Sequence, residues 1–275
     1  MGTIPDSPLG KAARFPDAYD AGLLYPVDRA PQREALGIVG GSMLPFGGAD
    51  HWTVWEAAWL DLAGRPQVGI AAFVVPCTSL RIVESKSVKL YFAALNHERF
   101  PDAEAFRAVL ARDLSAATAA DVAVRLDLPA TWSRYERRDP PGIVIDDVQV
   151  GAMPGFPDPR VLRVDEGEAD ETLVSHTFRS VCPVTGQPDY ASIAISYAGP
   201  RLARASVAAY LGGFRRHPGF HEHCVERIHV DLMHACTPHA LAIDARFTRR
   251  GGIDINPLRA SGRRAAPAGQ PTLRQ

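Results

Sequence analysis

The stretch Cys182-Pro-Val-Thr-Gly-Gln-Pro-Asp189 places a thiol and a carboxyl at the two ends of a short segment rich in turn residues. Pro183 keeps Cys182 out of helical geometry, and Gly186 and Pro188 fold the chain back, so both groups can face one pocket. A thiolate that attacks an electrophilic carbon beside a carboxylic acid that gives up a proton is a workable catalytic pair. The attacking sulfur needs a lowered pKa or a base nearby. The acid keeps its proton only in an apolar setting that raises its pKa. A cysteine filling a loop, next to an aspartate that caps a turn, is the plainer alternative.

A second group is Phe220-His221-Glu222-His223-Cys224, directly after the breaker Pro218-Gly219. A carboxylate in the first turn of a helix is favoured by the helix dipole alone. Glu222 can also accept two parallel N–H donors, a pair that guanine-like bases present, with His221 alongside. If Cys224 reaches the pocket of Cys182, the two thiols can pair under oxidation and protect the nucleophile. A third group is Glu84-Ser85-Lys86-Ser87-Val88-Lys89-Leu90-Tyr91. Here Ser85 or Ser87 caps a helix whose first amides stay free beside two lysines, an arrangement suited to a phosphate. Solvated lysines on an amphipathic helix are the alternative. Arg249-Arg250-Gly251-Gly252 adds basic side chains and close backbone approach of the same kind. His221, His223, Cys224, His229, His234, Cys236 and His239 crowd one region. None shows C-x₂-C or H-E-x-x-H spacing, and successive helical positions diverge, so no metal site is expected.

These groups need elements to carry them. Trp52 to Leu60 and Gln67 to Val75 are β-prone runs joined by Ala63-Gly64-Arg65-Pro66, a hairpin pattern. Val88, Tyr91, Phe92 and Leu95 mark a helix, and Phe106, Val109, Leu110 and Leu114 a second one, capped by Asp102. Val122, Val124, Leu126 and Leu128 alternate as a strand. The order then returns. Ile193, Ile195 and Tyr197 alternate; Val207, Tyr210, Leu211 and Phe214 are helical; Val225, Ile228, Leu232 and Ala235 are helical again; and Leu241, Ile243, Ala245 and Phe247 close the copy. The expected organisation is an irregular N-terminal arm (1–45), a first α+β domain (46–135), a linker (136–165), a second α+β domain (166–260) and a flexible tail (261–275).

Composition bounds the rest. The 275 residues are 46% hydrophobic and 22% charged, a globular balance. Lys plus Arg number 30 against 31 Asp plus Glu, so no global basic field points to a polynucleotide or an anionic membrane. No apolar run approaches the roughly 20 residues that span a bilayer, and a cytoplasmic protein is expected. The four cysteines are too few and too irregular for a disulfide framework.

The three motifs together resemble the NADPH-dependent 7-cyano-7-deazaguanine reductases, the QueF family of queuosine biosynthesis, over about Leu44 to Pro257. The family patterns E-S-K-S-x-K-L-Y, C-P-x-T-x-Q-P-D and F-H-E stand here at residues 84–91, 182–189 and 220–222, in the family's order. The resemblance implies tandem tunnelling-fold (T-fold) domains, antiparallel sheets each with a pair of helices on one face, and a homodimer. It implies that Cys182 forms a thioimidate with the nitrile and that Asp189 donates the proton. Val83, Glu84, Ser85, His221 and Glu222 would contact the base, and Ser85, Lys86, Arg250 and Gly251 would hold NADPH. Two hydrides per turnover and no metal follow from the same likeness, and the balanced charge leaves no nucleic-acid or membrane partner expected. A metal-dependent hydrolase of the cyclohydrolase type would share fold and purine-like substrate but use activated water. A non-catalytic purine-binding module is the other alternative, and fold alone does not choose.

Overall fold

A computed structural model of the chain describes residues 16, 18–39, 43–262 and 271–275. Those parts of the expected arm and tail that fall on 1–15, 17, 40–42 and 263–270 lie outside the described residues. In chain order the strands and helices are β1 (Pro26–Asp28), α1 (Ala30–Glu34), β2 (Gly47–Leu60), β3 (Pro66–Pro76), β4 (Arg81–Val83), α2 (Ser85–Leu95), α3 (Ala103–Thr118) and β5 (Ala123–Asp127). There follow β6 (Ile143–Val144), β7 (Val164–Val181), β8 (Pro188–Leu202), α4 (Arg204–Gly212), α5 (His221–Cys236), β9 (Ala240–Phe247) and β10 (Ile253–Ser261). The chain divides into two compact units. One comprises the described residues up to Pro31 with His51–Arg134 and Arg249–Ile253; the other comprises Gln32–Asp50, Tyr135–Thr248 and the described residues from Asp254 on. Each is an antiparallel sheet with a helix pair, the tandem tunnelling-fold arrangement.

In the first unit the strand order is β5-β3-β2, with β1 and β4 forming a separate two-stranded ribbon. Burial alternates along β2, so Trp52, Val54 and Trp59 turn inward. Trp52 stacks on Phe73 of β3 at 5.4 Å, and Trp59 stacks on Phe106 of α3 at 4.5 Å, which ties the helix to the sheet. α3 begins as its sequence demands, with the Asp102 carboxylate accepting from the Ala105 amide at 2.8 Å.

In the second unit the order is β10-β9-β8-β7-β6. β6 pairs parallel to β7, whereas β7 with β8, β8 with β9 and β9 with β10 pair antiparallel. β8 lies between β7 and β9 and is buried almost throughout, as a central strand should be. Phe178, Ile193, Ile195 and Tyr197 from the strands meet Val207 and Tyr210 of α4 and Val225, Ile228 and Leu232 of α5 in one core. Ile145 and Leu162, inside the expected linker, belong to that core as well.

Three further differences from the sequence expectation have physical causes. The arm is not irregular throughout. It contains β1 and α1, and Arg33 of α1 reaches Glu226 of α5, donating from Nε at 3.0 Å and Nη2 at 2.7 Å. Arg259 of β10 binds the same carboxylate at 3.0 and 2.8 Å and reaches Asp50 at 2.8 Å. β10 was not expected because Asp254, Asn256 and Pro257 break its apolar pattern, yet Asp254, Asn256 and Arg259 are buried there. Residues 271–275 of the expected flexible tail are docked, with Thr272 and Gln275 buried.

Candidate active site

β7 and β8 form one long hairpin, and its turn is the segment carrying the thiol. The last ladder pairs are Ser180↔Asp189 and Val181↔Pro188. The Cys182 amide donates to the Gln187 carbonyl at 2.8 Å, and the Gly186 amide donates back to the Cys182 carbonyl at 3.1 Å. Gly186 has φ 70°, left-handed backbone that a side chain would strain. Cys182 is 8% exposed and Asp189 4%. The carboxyl is thus fixed on a ladder rung of β8, and the thiol at the start of the turn that follows the last rung, one residue past the end of β7.

The F-H-E segment reaches the same place through the backbone. The Val181 amide donates to the His217 carbonyl at 3.0 Å, and the Gly219 amide donates to the Val181 carbonyl at 3.1 Å, so the residues entering α5 run along the end of β7. Phe220 is the N-cap and supplies no side-chain bond. His221 then stands with Nε2 3.7 Å from Asp189 Oδ1, outside hydrogen-bond range, and with its ring edge-on to Phe247 at 3.9 Å. Glu222 is buried in the first turn, where the dipole favours its charge. Cys224 lies two residues on. Burial pushes its thiol up to about 12, Asp189 and Glu222 push the same way when ionised, and the Ser180 hydroxyl beside the sulfur works against them. It stays a thiol at neutral pH. No disulfide joins any two of the four cysteines. His217, behind this corner, is driven down to about 4 by burial and by the Arg227 charge, and is neutral.

In the first unit the structure corrects the expected helix cap. Neither Ser85 nor Ser87 caps α2. Glu84 does, its carboxylate accepting from the Lys86 amide at 2.6 Å and the Ser87 amide at 2.9 Å, with the Ser85 hydroxyl at 3.3 Å. A glutamate reaches back to the second and third amides as an aspartate would, and so fills the place expected for an anion. Ser87 instead donates to the Glu84 carbonyl at 2.6 Å and accepts from the Tyr25 amide at 2.9 Å. Burial pushes the Glu84 carboxyl up and the two amides hold it back. Val83, at the end of β4, is buried beside it.

Arg249-Arg250-Gly251-Gly252 forms a tight turn in which Arg250 and Ile253 exchange backbone bonds at 2.9 and 3.4 Å. Gly251 and Gly252 take φ of 60° and 77°. A Cβ on Gly251 would stand 3.1 Å from Lys89 Cδ and Cε, so the lysine stem lies directly over bare backbone. The Arg249 guanidinium sits 3.6 Å from the centre of the Trp55 ring. Basic side chains around a side-chain-free turn fit the phosphates of a dinucleotide, and Arg250, Gly251 and Lys89 are the residues that would hold them. Lys89 is the second of the two lysines that the sequence sets beside the start of α2, three residues after Lys86. Among the described residues no three His, Cys, Asp or Glu are grouped to hold a metal ion. No helix among them is long and apolar enough to cross a membrane.

Comparison with known proteins agrees with both halves of this arrangement. A family model described as nitrile reductase, 7-cyano-7-deazaguanine-reductase N-term matches residues 15–126, and one described as QueF-like protein matches residues 188–266. The turn at 182–187 falls between the two. It is spanned by whole-chain relatives. NADPH-dependent 7-cyano-7-deazaguanine reductase of Burkholderia cenocepacia (strain HI2424) is 47% identical over 273 residues, 98% of each chain. The protein of that name from Burkholderia multivorans (strain ATCC 17616 / 249) is 47% identical over 271 residues, again 98% of each. With near-complete coverage at this identity, the chain belongs to the 7-cyano-7-deazaguanine reductase (QueF) family.

Proposed function

We propose that the chain reduces the nitrile of 7-cyano-7-deazaguanine to an aminomethyl group through a covalent thioimidate on Cys182, within queuosine biosynthesis. As a member of a nitrile reductase family it is an oxidoreductase, and its relatives are named NADPH-dependent. The observation that best supports the mechanism is the hairpin end, which holds a cysteine at the start of its turn, directly after the last residue of β7, and a buried aspartate on the ladder rung paired with Ser180.

The Cys182 thiolate adds to the nitrile carbon. A C–S bond forms, one C–N π bond opens toward nitrogen, and Asp189 gives that nitrogen its proton. NADPH, when bound, supplies one hydride to each of two reductions, so that R–C≡N, two NADPH and two H⁺ become R–CH₂–NH₂ and two NADP⁺. Between the two, the C–S bond breaks, sulfur leaves as thiolate, and an imine remains. Burial of Cys182 and Asp189 keeps water from hydrolysing the thioimidate and the imine. Glu222 accepts the paired N–H donors of the base with His221 at its side, and Val83, Glu84 and Ser85 contribute further base contacts. Ser85, Lys86, Arg250 and Gly251 hold the cofactor, and Lys89 joins them. A cytoplasmic homodimer acting on a small molecule, with no nucleic-acid or membrane partner, belongs to the same proposal.

Mass spectrometry of the protein incubated with 7-cyano-7-deazaguanine and no NADPH tests the covalent step. We expect a single adduct on the wild type and none on Cys182→Ala. With NADPH present, two cofactors are consumed per nitrile. An adduct that persists in Cys182→Ala, or an active wild type that forms none, overturns the mechanism.

A further inference from the structure

Residues 271–275 hold to the second unit at three places. The Pro271 carbonyl accepts from the Arg138 amide at 2.8 Å, and the Arg274 guanidinium donates to the His176 carbonyl. The third place is the side chain of Gln275, a residue only 6% exposed. Its Oε1 accepts from the Thr272 amide at 3.0 Å, and its Nε2 donates to Asn256 Oδ1 at 2.7 Å and to the Phe247 carbonyl at 2.9 Å. Asn256 in turn donates from Nδ2 to Asp254 at 2.6 Å, which leaves its Oδ1 to accept and fixes the sense of the Gln275 amide.

Phe247 is where this anchoring meets the chemistry. It closes β9 opposite Ala191 of β8, two residues beyond Asp189. Its carbonyl is held by Gln275, and its ring is the surface against which His221 packs at 3.9 Å. His221 Nε2 lies 3.7 Å from Asp189 Oδ1. One line of contacts therefore runs from the Gln275 amide through the Phe247 backbone and ring to His221 and the proton donor.

We infer that Gln275 is a positioning residue of the active site: by holding the Phe247 carbonyl it fixes the ring that sets where His221 stands beside Asp189 and the bound base. This rests on the roles proposed above for His221 and Asp189. Without the Nε2 donor the end of β9 keeps its ladder bonds to β8 but loses the bond that fixes the carbonyl beyond them. A misplacement of about an ångström at a reacting centre is enough to cost a large factor in rate.

The test compares Gln275→Ala, Phe247→Leu and Arg274→Ala with the wild type, in steady-state assays with 7-cyano-7-deazaguanine and NADPH across pH. Phe247→Leu keeps the carbonyl and removes the ring. Arg274→Ala loosens the same segment without touching Phe247. We expect Gln275→Ala and Phe247→Leu both to raise KM for the nitrile roughly tenfold, leave KM for NADPH unchanged, and displace the pH profile of kcat. Arg274→Ala should match the wild type. Wild-type KM and pH profile in Gln275→Ala overturn the inference, as does an equal defect in Arg274→Ala, which would mean that the segment only stabilises the fold. If Gln275→Ala does not fold, Phe247→Leu decides alone by the same criteria. Absence of the Cys182 adduct in the wild type would instead strike the proposed mechanism, so the two failures are distinguishable.

Discussion

Glu226 stands one turn beyond Glu222 on α5, is fully buried, and accepts bonds from two arginines that come from distant parts of the second unit. Glu226→Gln keeps its volume and removes its charge. Arg33 then loses the carboxylate it was bound to, and Arg259 keeps the bond to Asp50 at 2.8 Å as its ionic contact within this cluster. Breaking a buried ion pair by removing one partner costs about 3–5 kcal/mol, because a charge stays behind in a place water cannot reach. Coulomb attraction over about 4 Å at an effective dielectric of about 20 gives a similar ~4 kcal/mol per pair. Equilibrium unfolding in urea, at fixed protein concentration, reads this out. With a slope of about 3 kcal/mol/M the midpoint should fall by about 1 to 1.7 M with the slope unchanged. Adding Arg33→Met should recover part of the loss, since one of the two positive charges that Glu226 answered is then gone. A midpoint that moves by less than about 0.3 M would show that the carboxylate compensates no buried charge, and the account of how the arm and β10 are held would fall.

Two further outcomes are expected. His229, fully buried on α5 with its Nε2 3.1 Å from the Ser261 hydroxyl, is driven down to about 4 by burial and then by the Arg259 charge, against the pull of Glu226. A depressed histidine takes up its proton more readily unfolded than folded, so its share of stability is present above the unfolded value near 6.5 and is lost as pH falls from there toward 4. Unfolding midpoints at neutral pH and at mildly acid pH should therefore differ less in His229→Gln than in the wild type; equal slopes with pH would refute it. Gly251→Val forces a branched side chain into left-handed backbone at φ 60° and against Lys89. It should raise KM for NADPH at least about tenfold and leave cofactor-free adduct formation on Cys182 intact, whereas an unchanged KM would remove the turn from the cofactor site.

Local pattern carried the sequence reading a long way and then stopped at identifiable points. Helices packed on one side announce themselves by period, so α2, α3 and α5 and the cap at Asp102 were legible. The cap of α2 was not, because glutamate ranks below serine as a first choice and only the fold shows that its carboxylate reaches two amides. The acidic first half of β7 carries no apolar alternation because it is largely exposed, and the polar β10 carries none because buried Arg259 finds its partners, Glu226 and Asp50, elsewhere in the chain. Arg33 and Glu226 are 193 residues apart, and no window of sequence relates them. Within the site, the turn residues of 182–189 and Glu222, proposed here to read the base, were visible as chemistry, while Phe247 and Gln275 looked like the end of a strand and part of a tail. Their importance lies in contacts, and contact is what a one-dimensional pattern omits.

The spacing of Cys182 and Asp189 is written into the ladder rather than into a mobile loop, because Ser180↔Asp189 and Val181↔Pro188 are the rungs on either side of the turn. Side chains on a strand change face with every residue. Insertion or deletion of a single residue between the two would therefore slip the register, turning the acid to the opposite face of the sheet or bulging the turn that holds the thiol. Surface loops ordinarily drift in length over evolutionary time; this one is locked, and a descendant of this chain could change the identity of residues within it more readily than their number.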